Sequence, residues 1–278
     1  LVPLFSYLIT LIGWRATWVT LGLMVLLLAV PLSYLFIRDR PQDIGLLPDG
    51  ESNTGEGEKS KDASVLKPIL DFQSWTKSFK SLPIWQLSAA YFVCGFTTAL
   101  ISTHFVPFAI EEGYSPATAA MSFGVMSGLN VVGVLLAGAS GDLFGRKNLL
   151  ALVYIVRGGA YVSLLLIPGL FGLWSFAIVA GLSWIATVPL TVSLTADIYG
   201  LRNIGILGGL IFTAHQIGGA ISIQLGGVLR DLTGSYDVSF IIAALLLVLA
   251  SLVSFSIQEK KYSVRHKSSE IQPISYAT

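Results

Sequence analysis

In this chain of 278 residues, 54% of the side chains are hydrophobic, only 12% are charged, and the mean hydropathy is +0.74. A soluble domain carries about 25% charged residues, so this composition excludes a soluble core and indicates that the bilayer surrounds the chain. The net charge of +1 gives no reason to expect a nucleic-acid partner. The single cysteine, Cys94, excludes an intrachain disulfide or a cysteine metal cluster, and we expect it to be a small buried side chain.

Seven stretches are long and apolar enough to cross a bilayer about 30 Å thick, which takes roughly 20 residues. Before the first of them, residues 1–10 are apolar but too short to span, and a turn at Gly13 follows. We expect them to be the end of a helix whose beginning lies before residue 1. The predicted spans are residues 18–37, 84–110, 117–140, 148–170, 173–199, 204–229 and 239–257.

The only long polar segment, residues 38–82, separates the first and second spans. Its middle, residues 49–64, is rich in Gly, Ser, Glu and Lys, a composition typical of a flexible linker. Aromatic residues follow among Lys77 and Lys80. They fit either a short helix on the membrane surface or simple anchoring of the next span.

Basic residues divide unequally between the two sides of the membrane that these spans predict. The side that holds the 38–82 segment and the C-terminal tail carries 14 of the 17 Lys and Arg residues. The opposite side carries only Arg15 and Arg230, and Arg157 lies inside a span. The positive-inside rule then predicts a multi-pass protein of the cytoplasmic membrane, with residues 38–82 and 259–278 in the cytoplasm.

The most informative motif fills the short gap after the third span and reads Gly138-Ala-Ser-Gly-Asp142-Leu-Phe-Gly145-Arg146-Lys147. Its glycines allow a tight turn, Asp142 can offer a carboxylate to a neighbouring helix N-terminus, and Arg146 and Lys147 place positive charge at the membrane surface. The pattern G-x3-D-x2-G-R-K resembles the signature loop of the major facilitator superfamily of secondary transporters. The resemblance implies that these five numbered residues form a gating motif. One position departs, since the family usually has Arg or Lys directly after the Asp and a leucine stands here.

The resemblance covers essentially the whole chain and implies an all-α membrane protein, a major facilitator-type helical bundle. The chain then corresponds to the end of helix 5 through helix 12 of a twelve-helix transporter. We expect the end of the N-terminal half over residues 1–37, the central cytoplasmic loop over 38–82, the C-terminal six-helix half over 83–258 and a cytoplasmic tail over 259–278. The expected partners of these regions are the lipid bilayer and the missing N-terminal helices of the same transporter.

Two further runs are similar to ones in the oxalate/formate antiporter and monocarboxylate porter branch of the family. The first is Arg38-Asp-Arg-Pro-Gln-Asp-Ile-Gly-Leu-Leu-Pro-Asp-Gly50, and the second is Gly226-Gly-Val-Leu-Arg-Asp-Leu-Thr-Gly-Ser-Tyr236. Their physical roles are turn formation and tight packing. They therefore indicate lineage and do not name a substrate.

Polar side chains at membrane depth are candidates for a binding site, because unsatisfied polar groups there are costly. Arg157 lies about 14 Å into its predicted span, near the bilayer midplane. Tyr154 and Tyr161 stand three residues before and four after it, on the same helix face. A guanidinium between two phenols fits a carboxylate. The alternative is a structural arginine that hydrogen-bonds to helix carbonyls, and the family's ninth helix is usually a peripheral support.

His215 lies about 18 Å into the span 204–229, with Gln216 beside it. It is either a neutral histidine hydrogen-bonded within the bundle or, as the resemblance implies for helix 11, a residue that borders the central pathway. Helix 8 offers Asn130 near mid-depth and no Lys or Arg, which argues against an oxalate-like dianion and leaves a monocarboxylate as the substrate class. The candidate substrate-binding residues are Arg157, His215, Asn130, Tyr154, Tyr161 and Gln216.

Two further features bear on helix movement. Pro189, with Trp184 and Thr187 before it, predicts a locally loosened helix that faces the pathway, because proline removes a backbone hydrogen bond. Glycines recur along the spans 117–140 and 204–229, and small faces let membrane helices approach closely, whether to slide or only to pack.

We therefore expect a secondary active transporter of a small organic anion, monocarboxylate-like, that works by alternating access as a symporter or antiporter, with a proton as the candidate coupling ion. The alternatives are a facilitator-type carrier of a neutral or amphiphilic solute and a truncated fragment that transports nothing. An enzyme is disfavoured, because the three histidines do not cluster and no metal-ligand spacing or nucleophile motif occurs. We expect no cofactor, no metal site and no catalytic residues.

Overall fold

The computed structural model describes residues 2–38, 75–201 and 203–258. The chain divides into two compact units, Leu1–Val65 and Leu66–Thr278. The predicted flexible linker, the run that follows Arg38, Arg202 and the tail all lie outside the described residues. The predictions made for them, including the four-region division of the chain, stay predictions.

The described part of the first unit contains three successive helical segments: α1 (Val2–Met24), a π-helix (Val25–Ala29) and α2 (Val30–Phe36). The expected interruption at Gly13 is present, because φ is 76° and ψ is 161° at this residue, a conformation that suits glycine. The widened π-helical turn lies just before Pro31, which has no N–H to donate to the helix. Tyr7–Phe36 is long and apolar enough to cross a membrane.

The described part of the second unit contains a 3₁₀-helix, Trp75–Lys80, and seven α-helices. The α-helices are α3 (Leu82–Glu111), α4 (Pro116–Phe144), α5 (Arg146–Leu166), α6 (Gly169–Ser183), α7 (Thr187–Tyr199), α8 (Ile204–Thr233) and α9 (Asp237–Ser256). Because α6 and α7 follow one another within a single apolar stretch, these helices make six spans. The prediction of an all-α membrane bundle is confirmed, and no strand occurs in the described ranges.

The helix ends follow from residue chemistry. Ser115 caps α4 by accepting a hydrogen bond from Thr118 N at 3.1 Å. The predicted span 148–170 is too long at its far end, since α5 stops at Leu166 before Pro168. Gly234 ends α8 in the left-handed conformation, with φ of 77°.

The prediction of a turn through the whole signature gap is wrong. α4 continues through Asp142 to Phe144, and α5 begins at Arg146. Gly145 alone makes the turn, with φ of 88° and ψ of 132°, values that side-chain-bearing residues rarely adopt. Two long helices are therefore joined through a single residue, which leaves little freedom in the angle between them.

Close backbone contacts set the positions of α3 and α8 in the second unit. A Cβ at Gly95 would collide with the His215 carbonyl, and one at Gly218 would collide with the Phe92 carbonyl. α4 and α6 meet in the same way, through Gly133. Glycine therefore permits these crossings, as membrane helix pairs commonly require. A Cβ at Gly128 would have no described atom within 4 Å, so only part of the predicted glycine face packs within this unit.

Candidate functional site

The break between α6 and α7 is the irregular feature around which the polar residues gather. Pro189 has no N–H for the carbonyl of Ile185, four residues earlier, and its ring would clash with that carbonyl in a regular helix. The chain instead makes a tighter turn, in which Val188 N donates to Ile185 O at 2.9 Å. The predicted loosening of this helix is confirmed at residues 184–186.

Side chains from two other helices satisfy the backbone groups that the break exposes. Asn130 on α4 accepts a hydrogen bond from Ile185 N at 3.0 Å through Oδ1. Arg157 on α5 donates to Ser183 O from Nε at 3.1 Å and also from Nη2. Unsatisfied backbone groups at this depth would be costly, so both residues stabilise the broken helix.

The Arg157 side chain is completely buried. Beyond its bonds to Ser183 O, it donates to Thr97 Oγ1 and Thr187 Oγ1, at 3.4 Å each, and lies 3.8 Å from Cys94 Sγ. These contacts join α5 to α3 and α7. No described carboxylate lies within ion-pair distance of the guanidinium, so a permanent positive charge is held among neutral oxygens and one sulfur.

Tyr154 and Tyr161 lie beside Arg157, as the helical spacing predicts, but their hydroxyl groups have other partners. Tyr154 donates to Ala90 O at 2.8 Å and Tyr161 donates to Thr97 O at 2.9 Å. Both carbonyls belong to α3, and both phenols are fully buried. This geometry favours the structural alternative, in which the Arg157 face of α5 clamps α3.

His215 occupies a different environment, half-buried on α8 beside α3. Its ring stacks on Phe212 at 5.5 Å and packs against Tyr91 at 4.9 Å between centroids. Its Nδ1 contacts Gln216 Oε1 at 3.1 Å. The imidazole therefore packs against aromatic rings, whereas the Arg157 guanidinium lies among hydroxyl and carbonyl oxygens and Cys94.

Charge is distributed unevenly along the described helices. Every acidic residue in or next to them falls in a first or last turn or in the connection between two helices, whereas Arg157 lies in the middle of its span. The acidic residues are Glu111, Glu112, Asp142, Asp197, Asp231 and Asp237. The middle of the described helices of the second unit therefore carries a cation and no carboxylate.

The signature motif contributes an ion pair at the other end of α5. Arg146 Nη1 lies 2.6 Å from Asp197 Oδ1 near the end of α7, and it also donates to Ser193 O at 3.1 Å. Lys147 lies over the Phe255 ring at 5.2 Å. The side chain of Asp142 is outside the described part, so its predicted helix-capping role stays a prediction.

The opposite end of the second unit has its own charged and aromatic group. Arg230 pairs with Glu111 at 2.9 Å. His104 Nε2 lies 3.0 Å from Ile223 O, and its ring packs against Tyr236. Burial, together with the nearby Glu111 carboxylate, raises the pKa of Tyr236. These contacts tie α3 to α8 and to the turn before α9.

Sequence reasoning indicated Arg157, His215 and Asn130 but missed two of the side chains that contact Arg157. Cys94, interpreted as a small buried side chain, is buried but also contacts Arg157 and Thr187. A cysteine and a threonine on different apolar helices give no periodic signal, so only the packing of α3 against α5 and α7 could bring them together.

Comparison with known proteins identifies the family. Residues 1–223 match the sequence profile of the Major Facilitator Superfamily. The chain belongs to this superfamily. Its described part is correspondingly a multi-pass membrane protein with seven helical spans long and apolar enough to cross a bilayer.

Its relatives include uncharacterised and named transporters. The chain is 29% identical over 248 residues to the uncharacterised MFS-type transporter YcxA of Bacillus subtilis, covering 86% of this chain and 55% of that protein. It is 24% identical to monocarboxylate transporter 12 of Rattus norvegicus, covering 91% of this chain and 55% of that protein. The chain thus spans about half the length of these relatives.

Among solved structures, the chain resembles the transporter FucP in its outward conformation, with a TM-score of 0.54, 18% identity, and coverage of 87% of this chain and 54% of that one. Another FucP structure, described as the Escherichia coli fucose:proton symporter, also gives a TM-score of 0.54, at 20% identity over 65% of this chain and 45% of that one. At these identities the likeness establishes the fold, and the prediction of a major facilitator-type bundle is confirmed.

Proposed function

We propose that the protein is a secondary active carrier that moves a small organic anion across the membrane by alternating access. The observation that carries this proposal is the permanent positive charge of Arg157 at mid-span, where the described helices place no carboxylate. An ionisable group held within a membrane span is costly, and such residues commonly mark a substrate or ion pathway. An anion that reaches this depth would be stabilised by the unmatched charge.

A monocarboxylate is the substrate class that best fits the charge. One guanidinium can balance one carboxylate, and α4 adds the neutral amide of Asn130 in place of a second basic residue. A dianion would therefore leave one of its charges uncompensated at this depth. That several relatives carry the name monocarboxylate transporter is consistent with this choice.

The proposed roles differ according to burial. His215 and Gln216, on the accessible side of α8, would contact the anion, and Asn130 Nδ2 offers a donor beside the break. Arg157 would act chiefly through its charge, because its donors already have partners. Tyr154 and Tyr161, also predicted to contact substrate, would support the site by holding α5 against α3.

Alternating access requires helices that move as rigid bodies and interactions at the helix ends that can form and break. The single-residue joint at Gly145 and the Arg146–Asp197 pair support a gating role for the signature motif. We include Gly138, Asp142 and Lys147 in that role on the strength of the motif alone. The missing helices would complete the pathway, since family carriers bind substrate between two halves.

We also propose that residues 38–82 and the C-terminal tail are cytoplasmic, a topology supported by the partition of basic residues. Cysteines introduced at Ser60 and Ser268 should resist an impermeant thiol reagent in intact cells and react after permeabilisation. The buried Cys94 should contribute little background. Labelling of either introduced cysteine from outside would reverse the proposed orientation.

Uptake by the full-length transporter in proteoliposomes tests the function. Labelled lactate should accumulate, oxalate should compete weakly, and a neutral sugar should not compete. Sugar uptake without lactate uptake would favour a carrier of neutral solutes. Absence of any uptake by the six-helix half alone, with activity when the preceding helices are present, would support the expectation that both halves are needed.

A further inference from the structure

An apolar cavity of about 450 Å³ lies between α3, α8 and α9. Alanines from all three helices leave this space open, because their side chains are too short to fill it. They are Ala89, Ala90, Ala214 and Ala250. Among the described residues that line the cavity, Ser88 is the one with a hydroxyl group, and no charged side chain takes part. The cavity has the size of a ligand pocket, and its lining fits hydrocarbon.

The cavity opens to the outside of the second unit and continues toward the 3₁₀-helix. Two of its lining side chains, Trp85 and Leu249, are 56% and 55% exposed. A smaller cavity of about 170 Å³ shares Trp85, Ser88 and Ala214 with the first and reaches Phe79. The two cavities together form an apolar groove, here called the Trp85 groove, that leads from the 3₁₀-helix into the spans.

The 3₁₀-helix is fixed at the end of this groove by side-chain contacts. Trp85 Nε1 donates to Phe79 O at 2.9 Å, and the two rings lie 5.8 Å apart between centroids. Ser81 Oγ, directly after the 3₁₀-helix, lies 2.6 Å from the Tyr199 hydroxyl at the end of α7. Tryptophan is enriched at the level where a bilayer meets water. The groove therefore begins at the level of lipid headgroups.

Lys77 and Lys80 add positive charge at the same place. They stand three residues apart in the 3₁₀-helix, where side chains at this spacing eclipse one another, so both ammonium groups lie on one side of it. Both side chains are exposed, and no described carboxylate pairs with either. Phe79, which lines the groove, lies between them in the chain. Two cations without a described counterion thus stand beside the entrance of an apolar groove.

We propose that the Trp85 groove binds one phospholipid with a net negative headgroup. One acyl chain lies between α3, α8 and α9, and the headgroup phosphate lies against Lys77 and Lys80. Anionic lipids are attracted by lysines next to a membrane span. A phospholipid matches both the apolar lining and the two cations in one molecule, whereas an apolar helix laid over the groove would match only the lining. This inference goes beyond the carrier function and does not depend on which solute the protein moves.

Brominated lipids locate the bound acyl chain, because bromine quenches tryptophan fluorescence on contact. The full-length transporter is titrated in mixed micelles, and the difference between wild type and Trp85→Phe isolates the Trp85 signal. Brominated phosphatidylglycerol should quench this signal with at least about tenfold higher affinity than brominated phosphatidylcholine, since each lysine near an anionic lipid contributes about fivefold. Equal affinity for the two lipids would overturn the proposal. Absence of quenching by either would also overturn it, because another helix of the transporter would then cover the groove.

Variants of the two lysines test the headgroup contact. Lys77→Gln and Lys80→Gln should each lower the preference for phosphatidylglycerol about fivefold, and the double variant should bind the two lipids almost equally. Arg38→Gln is the matched control, since Arg38 is an exposed cation next to another span, and it should keep the wild-type preference. An unchanged preference in the folded double variant would contradict the proposal.

A larger side chain in the groove tests the acyl-chain contact separately. Ala89→Phe should weaken quenching of Trp85 by both lipids, because the ring takes the place of the chain. Ala89 is exposed, so the variant should fold. Ala117→Phe, at an exposed alanine in the first turn of α4, is the matched control and should bind like wild type. Unchanged quenching in folded Ala89→Phe would show that the chain does not enter the groove and would overturn the proposal. Because no transported solute is present in these measurements, failure of lactate uptake would leave their outcome unaffected.

Discussion

The two arginines of α5 have opposite surroundings. Arg146, at the first residue of the helix, is partly exposed and pairs with the Asp197 carboxylate at 2.6 Å. Arg157, three turns further along, is completely buried and is surrounded by hydroxyl and carbonyl oxygens and by Cys94. The same type of side chain is therefore neutralised by a carboxylate at the end of the helix and left without a described carboxylate at mid-span.

This difference separates two uses of charge. A carboxylate at a helix end costs little, because water reaches it, and the resulting ion pair can form and break as helices move. At mid-span, an additional carboxylate would be expensive and would cancel the field that an anionic substrate needs. This difference supports the proposal that the Arg146 end serves gating and that the Arg157 level attracts the substrate. The predictions below are ordered by the size of the expected effect.

Removal of the buried charge should have the largest effect. Arg157→Gln should abolish carboxylate uptake, because glutamine cannot supply a fixed positive charge. Arg157→Lys, which retains the charge, should keep measurable uptake. Initial rates in proteoliposomes, normalised to folded protein, give the comparison. A folded glutamine variant that still binds lactate and only exchanges slowly would show that Arg157 is structural.

Asp142→Asn should act on exchange and leave binding largely unchanged. If the carboxylate caps a neighbouring helix in one conformation, its loss should lower turnover about tenfold, while substrate affinity changes less. Counterflow rates and equilibrium binding separate the two effects. Because Leu143 stands where the family usually has a basic residue, normal turnover in this variant would remove Asp142 from the gate.

His215→Gln should alter the pH dependence of uptake more than its maximum. Histidine ordinarily gains its proton as pH falls through about 6.5, and the added positive charge favours an anion. Wild-type uptake should therefore rise as the external pH falls from about 8 to about 5. The glutamine variant should show a nearly flat profile in this interval, and His104→Gln should retain the wild-type slope. A steep profile in His215→Gln would place the titrating group elsewhere.

The Arg146–Asp197 pair should show the smallest effect. Arg146→Gln and Asp197→Asn should each lower the melting temperature in detergent by a few degrees, since a partly exposed pair contributes about 1 kcal/mol. The double variant should be hardly less stable than either single one, because each removes the same interaction. If the losses of melting temperature in the two single variants add up fully in the double variant, the two residues stabilise the protein independently of each other.

The fold could be predicted from the sequence because the bilayer imposes it. Apolar stretches of membrane length predicted six of the seven spans to within a few residues, and Pro189 predicted the break between α6 and α7. The first span was predicted too short, since it begins at Tyr7 and the prediction began at residue 18. The turn at the signature motif was predicted to cover too many residues, since only Gly145 has the positive φ that ends α4. A run with several glycines does not show which of them adopts the turn conformation.

The site could be predicted only in part. Counting residues from the start of each span gives the depth of a side chain in the membrane, and this depth selected Arg157 and His215. The contact of Cys94 with Arg157 and the use of the Tyr154 and Tyr161 hydroxyls depend on which face of α3 meets α5. Apolar spans that are hydrophobic on nearly every side carry no sequence signal for such a face, so these contacts required the packed bundle.

The central claim is that positive charge at mid-span selects an anion, and a pair of near-isosteric solutes tests it most directly. Lactate and lactamide have almost the same size, but only lactate is charged at pH 7. The full-length transporter should take up lactate at least about a hundredfold faster than lactamide, a discrimination that a charged partner can supply. Equal uptake of the two, or preference for lactamide, would contradict the account.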